Sequence, residues 1–423
     1  MPNHSLTDWG VVAIFGTVYL GMILGGLPRL KLDRSGVALL GAIGVVGLGD
    51  MSVAQAAQAV DLPTVLLLFS FMVVSAQMRL GGFYTWVTQR VAAWPLGRHA
   101  LLGALIAVAG VLSAVFSNDI ICLAMTPVVV QLCRQRQLDP VPFLLGLACA
   151  ANIGSAATLI GNPQNMLIGS VMQLPFGGYV RHAWVPVGLS LLLLWAWLVW
   201  GPAAPGRQAG APHIDAPDPW VPAAATLPVP AFDVWQSAKG LLVALALMVV
   251  FVFTPWPREV AALVGAGLLL LSRKLHSSHV MGLVDWPLLV LFMGLFVVNQ
   301  AFESTGLAAQ AVAWLAAQGV HLADPGMLLV ATLGLSNLVS NVPAVMLLLP
   351  HLQGFQAGLT LALVSTLAGN LLLVGSIANL IVVDLARQSG VTIDWRMHAR
   401  VGVPVTLLTL ALVWAWLRWA TLG

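Results

Sequence analysis

Long apolar runs recur from one end of the chain to the other, separated by short polar segments. An apolar run of about 20 residues predicts a helix that crosses a membrane. The uninterrupted runs lie at about 9–28, 36–49, 62–80, 183–203, 237–254, 259–272, 286–302 and 400–420. Two shorter amphipathic stretches, 83–94 and 305–320, predict helices that lie in the membrane interface. The pattern predicts an all-α polytopic membrane protein.

Polar residues interrupt four further apolar regions, two in each half of the chain. Ser-Asn turns divide the regions at about 101–136 and 326–352, and Gly/Ser/Asn-rich segments divide those at about 141–172 and 358–385. The arms beside each Ser-Asn turn are short for two crossings, so each turn predicts the tip of a re-entrant helical hairpin. Each Gly/Ser/Asn-rich segment predicts a broken transmembrane helix. Such breaks at corresponding places in two halves are typical of the binding sites of secondary transporters.

The two halves share sequence as well as pattern. Residues 61–83 match residues 285–307 without gaps, and Asp61, Pro63 and Gly82 fall on Asp285, Pro287 and Gly306. This is an internal repeat. We expect residues 1–206 and 237–423 to form two repeats of five spans and one hairpin each, joined by a cytoplasmic linker at 207–236 that is rich in Pro and Ala. Because five crossings are an odd number, the second repeat is inverted relative to the first.

Composition and charge support this organisation. The 423 residues are 59% hydrophobic and 8% charged, with a formal net charge of +3, which gives no indication of nucleic-acid binding. With the N-terminus outside, every Lys and Arg except Arg181, Arg258 and Arg418 falls on the predicted cytoplasmic side, as the positive-inside rule requires. Neither the three Cys nor the nine His show metal-ligand spacing. No Walker loop or nucleophile–base arrangement is present, so an enzyme is not expected, and ATP use would require a partner subunit.

The polar breaks supply the candidate site residues. Asn118 and Asn341 offer amide oxygens at helix breaks, which suit Na⁺, and Asp119 could bind Na⁺ with them or take up and release a proton. The helix after each tip offers N–H groups to an anion. The simpler alternatives are that each Ser-Asn only caps the second hairpin helix and that Asp119 is a charge in a water-filled vestibule. The candidate substrate- and ion-binding residues are Ser117, Asn118, Asp119, Asn152, Gly154, Ser155, Thr158, Gly161, Asn162, Asn165, Ser340, Asn341, Asn370, Gly375, Ser376 and Asn379.

At the hairpins and breaks the sequence resembles the ion transporter superfamily, which joins arsenite efflux pumps, NhaD-type sodium/proton antiporters and divalent anion:sodium symporters. The resemblance rests on Asn118-Asp119 followed by Thr126-Pro127, on FESTG at 302–306 and on the ending at 391–410. It is closest to arsenite-pump-like proteins and to uncharacterised citrate-transporter-like inner-membrane proteins. The resemblance implies two opposed hairpin tips that meet two broken helices near mid-membrane, with substrate and coupling ions between them. It also suggests a homodimer.

The sequence therefore predicts a secondary transporter of the bacterial inner membrane. The expected substrate is a small anion, either an arsenite-like oxyanion or another organic or inorganic anion, moved by alternating access as a symporter or antiporter. The expected coupling ion is H⁺ or Na⁺, and no other cofactor is expected. One alternative is a cation/proton antiporter in which Asp119 exchanges the ions. Another is an ion channel, whose conductance would not couple one gradient to another, and a more distant one is an intramembrane enzyme.

Overall fold

The computed structural model describes residues 6–27, 30–201 and 231–420, and the regular secondary structure of these ranges is helical apart from one isolated bridge between Gly26 and Asp33. This confirms the prediction of an all-α protein. The helices of the first half are α1 (Leu6–Leu24), α2 (Arg34–Gly47), α3 (Val53–Ala59), α4 (Leu62–Leu80), α5 (Phe83–Ala92), α6 (Arg98–Val115), α7 (Asn118–Gln135), α8 (Pro140–Ser155), α9 (Pro163–Val171) and α10 (Phe176–Trp200).

The second half repeats this order of elements, with two short 3₁₀ turns added at Leu349–His351 and Leu373–Gly375. Its helices are α11 (Val234–Phe253), α12 (Arg258–Leu270), α13 (Ser277–Met281), α14 (Trp286–Ser304), α15 (Leu307–Ala317), α16 (Pro325–Val339), α17 (Asn341–Leu348), α18 (Phe355–Ala368), α19 (Ile377–Gln388) and α20 (Trp395–Ala420).

Local sequence explains why matching elements start and turn alike. Asp61 and Asp285 precede α4 and α14, and each accepts a hydrogen bond from the backbone N–H three residues on, at 2.8 and 3.0 Å. Such N-caps satisfy backbone donors that a helix leaves without partners. Gly82 and Gly306, which follow the same two helices, take left-handed backbone angles, with φ of 68° and 71°. Glycine adopts this conformation without steric cost, so the aligned residues produce the same turn twice.

Helices of the two halves exchange contacts. Helix α2 packs on α14 as α12 packs on α4, and α8 contacts α19 as α18 contacts α9. Likewise α7 packs on α19 and α17 on α9. A pair of repeats related by a two-fold axis produces such reciprocal contacts. The site is thereby surrounded by both halves.

The burial pattern is that of a membrane protein. Seven helices of the described ranges, namely α1, α4, α6, α10, α11, α14 and α20, are long and apolar enough to cross a membrane. Their outer faces expose large apolar side chains, such as Leu242 at 70% and Phe253 at 78%. Helices α8 and α18 are shorter and lie almost wholly inside the protein. The polar segments that follow these two helices are therefore placed at the centre.

The predicted apolar spans overlap the observed helices, although α10 begins at Phe176 and α20 at Trp395, before the predicted starts at 183 and 400. The regions predicted as hairpins contain the helix pairs α6–α7 and α16–α17, and the regions predicted as broken spans contain α8–α9 and α18–α19. The second hairpin is less regular than predicted, because α17 has only 8 residues before a 3₁₀ turn. Most of the predicted linker, with Arg207, lies outside the described residues, as does Arg29. Helix α11 begins at Val234, inside the predicted linker.

Candidate functional site

The two hairpin tips carry asparagines whose side-chain oxygens find no hydrogen-bond partner in the described part of the chain. At Ser117 and at Ser340, which precede α7 and α17, the serine side chain makes no capping hydrogen bond. Asn118 as a whole residue is 6% exposed. Among the described residues, neither Asn118 Oδ1 nor Asn341 Oδ1 accepts a hydrogen bond, although both atoms are buried. Buried oxygens without a donor are costly, and their cost is offset when a cation binds to them.

Asn152, near the end of α8, is the centre of a buried hydrogen-bond network. Its Oδ1 accepts from Asn118 Nδ2 at 2.9 Å and from Ser376 Oγ at 2.9 Å. Its Nδ2 donates to Asn370 Oδ1 at 2.8 Å and to Asn379 Oδ1 at 3.1 Å. One side chain of the first half thus binds the first hairpin tip and three residues of the second break. These five predicted site residues are brought together.

Thr366, near the end of α18, has the same position in the second half as Asn152 has in the first. Its hydroxyl accepts hydrogen bonds from Asn162 Nδ2 at 3.1 Å and from Gln164 Nε2 at 3.5 Å, and it donates to Asn165 Oδ1 at 3.2 Å. Asn162 Nδ2 also donates to Ser155 Oγ at 2.9 Å. The second half therefore binds the first break as the first half binds the second.

The two sets of contacts are equivalent in sequence as well as in space. Each broken span restarts from an N-cap, and in each restart the asparagine three residues after the cap hydrogen-bonds the other half. At one constant sequence offset the matching pairs are Asn152 and Thr366, Asn162 and Ser376, and Asn165 and Asn379. These reciprocal hydrogen bonds join the two repeats at their breaks.

Glycines at the first break allow close approach of backbones. A Cβ on Gly154 would clash with the backbone of Gly110 on α6, and one on Gly161 would clash with Ser155 O and lie 2.8 Å from Ser113 O. The backbone N–H of Asn118 donates to Gly161 O at 3.3 Å. Gly154 and Gly161 therefore allow the first break to pack closely against α6 and the first hairpin tip.

The remaining predicted residues lie around these contacts. Thr158 Oγ1 donates to Ala114 O at 2.5 Å, which fixes the first break to the end of α6. Gly375 lies at the second break, where an added Cβ would be 3.0 Å from Asn337 Oδ1. The Asn341 side chain lies against the same break, because a Cβ on Gly369 would be 3.1 Å from Asn341 Nδ2. Both hairpin tips therefore contact a break.

Asp119 stands apart from the asparagine network. It lies in the first turn of α7 and is partly buried. No ion pair to its carboxylate is found among the described residues. A carboxylate inside a membrane protein that lacks a fixed cation is a candidate for binding a mobile cation or a proton.

Several polar residues of the site were missed from the sequence. Thr366 lies in an apolar helix and could have been found only from its repeat position, which is that of Asn152. Tyr179 donates to Ala156 O at 2.8 Å and supports the first break, and the His398 ring contacts Asn370 O at 3.0 Å behind the second. Asn337 donates to Ala368 O at 3.2 Å, while its Oδ1 is buried without a partner in the described ranges.

Sequence comparison identifies relatives along nearly the whole chain. The citrate transporter family pattern matches residues 19–368. A silicon efflux transporter of rice, Oryza sativa subsp. japonica, is 28% identical over 94% of this chain and 95% of its own. The inner membrane protein YbiR of Escherichia coli is 30% identical over 80% of this chain and 83% of its own. An uncharacterised transporter of Mycobacterium tuberculosis is 27% identical over 97% and 99%.

A solved structure has the same fold. The YdaH transporter of Alcanivorax borkumensis, whose crystal structure shows an unusual topology, aligns with a TM-score of 0.55 over 99% of this chain and 98% of its own. The sequences are 14% identical, so this similarity concerns the fold alone. The sequence relatives are transporters and not enzymes, in agreement with the sequence prediction.

Proposed function

Because this chain belongs to the citrate transporter family of membrane transporters, we propose that it is a secondary active transporter of a small anion. Transport is coupled to Na⁺ or H⁺ and proceeds by alternating access. We place it in the bacterial inner membrane, as YbiR is an inner membrane protein. The proposal does not require ATP or any catalytic group.

The observation that carries the proposal is the pair of buried oxygens at the hairpin tips. Asn118 Oδ1 and Asn341 Oδ1 have no donor among the described residues, and each tip lies against a break in a helix. Unwound backbone and amide oxygens are the groups that bind coupling cations in discontinuous helices. The adjacent N-termini of α7 and α17 favour negative charge. A cation at the tips and an anion beside it would each offset the other's charge.

The names of the family and of its relatives suggest which substrates to test. The family name makes citrate the first candidate anion, and the rice silicon transporter makes silicic acid, which is uncharged at neutral pH, a second ligand to test. Arsenite and other small oxyanions are further ligands to test, because the residues of the breaks could form hydrogen bonds with them. The amides and hydroxyls of Asn152, Asn162, Thr366 and Asn379 both donate and accept, so they suit ligands that carry hydroxyl groups as well as negative oxygens.

The hydrogen bonds between the repeats also suggest how access could alternate. Asn152 and Thr366 bind the breaks of the opposite halves, so hairpins and breaks would move together. The surrounding helices α2, α4, α12 and α14 pack on one another in reciprocal pairs and would form the static part. Movement of one group of helices against the other would expose the tips to each side in turn.

A second candidate function is cation/proton antiport by Asp119. It is favoured by the position of this carboxylate in the first turn of α7, without an ion pair in the described ranges. In this case a cation and a proton would compete for Asp119, and anions would have no effect on cation binding.

The first experiment measures the unfolding temperature of the purified protein across a matrix of ligands and pH values. Unfolding is followed in Na⁺-free buffer at two pH values, with Na⁺, Li⁺, citrate, silicic acid, arsenite, succinate, phosphate and sulfate added singly and in pairs. A ligand of the folded state must raise the unfolding temperature by mass action. Stabilisation by an anion only with Na⁺, or only at one pH, supports coupled anion transport.

Variants identify the coupling residue. Asp119→Asn should abolish the dependence of anion binding on Na⁺ or pH. The control is Asp384→Asn, which alters only exposed contacts, with Arg387 at 2.9 Å and Gln388 at 2.7 Å. Stabilisation by Na⁺, Li⁺ or pH alone, with no response to any anion, would reject the anion transporter in favour of the antiporter.

A further inference from the structure

A cavity of about 480 Å³ opens beside the second hairpin tip. It lies between the start of α2, the end of α1, the hairpin tip and the second break. Arg34, Asn337 and Ser340 contribute its polar lining, and Leu24 and Val374 are among its apolar walls. Sites for small ligands typically have about 300–1,000 Å³, mostly apolar walls and a few polar groups. The cavity has the size and composition of a site for a small ligand.

Arg34 supplies a positive charge to the cavity and forms no ion pair within the described residues. Its Nε is buried and has no hydrogen-bond partner there. The Asp33 carboxylate also lines the cavity; its Oδ1 accepts from Gly36 N at 2.8 Å as the N-cap of α2, and it forms no ion pair with Arg34 in the described ranges. A half-buried guanidinium that forms no ion pair is stabilised by a bound anion.

The equivalent arginine of the second half has a protein partner. Arg258 is the first residue of α12, as Arg34 is the first residue of α2. Arg258 donates a hydrogen bond to Gly169 O at the end of α9, at 2.8 Å. The residue after Gly169, Ser170, donates a hydrogen bond from its Oγ to Asp61 Oδ1 at 3.0 Å. The arginine of the second repeat thus hydrogen-bonds a helix carbonyl, whereas the arginine of the first repeat lies beside an open cavity.

The tip residue in the same cavity has a strained backbone. Ser340 has φ of 81° and ψ of 159°, whereas Ser117 at the first tip has φ of −58° and ψ of 132°. Residues other than glycine rarely adopt the backbone angles of Ser340, because their Cβ makes this conformation costly in energy. Strain of this kind is concentrated at ligand-binding sites. It occurs here at the tip that lines the cavity beside Arg34.

We propose that Arg34 and Ser340 bind a soluble oxyanion in this cavity, as an entry site next to the hairpin tip. The guanidinium would hold two oxygens of a carboxylate, phosphate or sulfate, and Ser340 would hydrogen-bond a third. This inference rests on the proposed anion transport and adds the residue that selects for negative charge. The site is separate from the asparagine network around Asn152.

The test is direct binding of citrate, phosphate and sulfate to the purified full-length protein by titration calorimetry, with Na⁺ present, in a maltoside detergent free of phospholipid. Arg34→Gln should raise the dissociation constant of the anion that binds wild type by at least tenfold, and Arg34→Lys should raise it less. Arg258→Gln, the control from the other repeat, should leave the dissociation constant unchanged. The anion that responds identifies the ligand as a carboxylate or an inorganic oxyanion.

A second variant does not depend on folding of the first. Val374→Trp fills the cavity and leaves Arg34 in place, so it should also weaken binding of the anion at least tenfold. Equal anion affinity in wild type, Arg34→Gln and Val374→Trp would overturn the entry site while leaving anion transport intact. A second titration adds phosphatidylglycerol to the same detergent; binding of this lipid alone, with no soluble oxyanion displacing it, would also overturn the entry site. If wild type binds Na⁺ but no anion in this assay or in the thermal matrix, the proposed function itself fails.

Discussion

Removal of the Asn152 side chain is expected to separate the two repeats at their breaks. Asn152→Ala deletes four side-chain hydrogen bonds, to Asn118, Asn370, Ser376 and Asn379. Hydrogen bonds between membrane helices contribute ~0.6 kcal/mol on average, and typical protein hydrogen bonds contribute ~0.5–1.5 kcal/mol. The four together give a loss of about 3 kcal/mol in unfolding free energy, because their former partners are left buried.

The measurement is unfolding by sodium dodecyl sulfate in mixed micelles, followed by tryptophan fluorescence. Thr126→Val is the matched control, because Thr126 is fully buried and its hydroxyl only donates to Cys122 O within the same helix, at 2.6 Å. It should lose less than about 1 kcal/mol. A double-mutant cycle of Asn152→Ala and Asn379→Ala isolates the contact between the repeats.

Two outcomes would refute this reasoning. If Asn152→Ala destabilises no more than Thr126→Val, the network does not hold the repeats together. If the Asn152 and Asn379 effects are additive, the 3.1 Å hydrogen bond between the two side chains contributes nothing to stability.

Two further substitutions test the backbone of the site. Gly154→Ala should destabilise the protein by ~1–3 kcal/mol, because the new Cβ clashes with the backbone of α6. Gly188→Ala, where a Cβ meets open space within α10, should be neutral or stabilising in the same unfolding assay, and similar losses at both positions would contradict the packing argument. Ser340→Gly should raise stability by about 1 kcal/mol, since glycine relieves the strain at φ 81°, whereas Ser117→Gly at φ −58° should lower it. Equal effects in the unfolding free energy of the two variants would show that Ser340 is not strained.

Much of the fold could be predicted because its causes are local. Asp61 and Asp285 start equivalent helices, and Gly82 and Gly306 turn them, through contacts within a few residues. The repeat, the hairpins and the breaks follow from such signals and from the lengths of apolar runs. The start of α11 inside the predicted linker and the irregular α17 were missed, since helix ends depend on neighbours as well as on sequence.

The candidate site was predicted as a set of residues and not as an arrangement. The sequence identified Asn118, Asn152, Asn370, Ser376 and Asn379 because polar residues inside apolar runs need a reason to be there. It could not show that all five share one network, since that requires side chains from both halves to meet. Thr366, in an apolar helix, could have been assigned the role of Asn152 only by aligning the two repeats at their breaks.

The sequence by itself therefore determined the class of protein, the repeat and the positions of the breaks, because hydrophobic length, caps and glycines act over short distances. Only the tertiary structure decided which polar atoms are satisfied. Arg34 and Arg258 hold the same place in their repeats, yet one lines a cavity and the other binds Gly169 O. The difference arises from how the helices of the two halves pack, and no local pattern in the sequence encodes it.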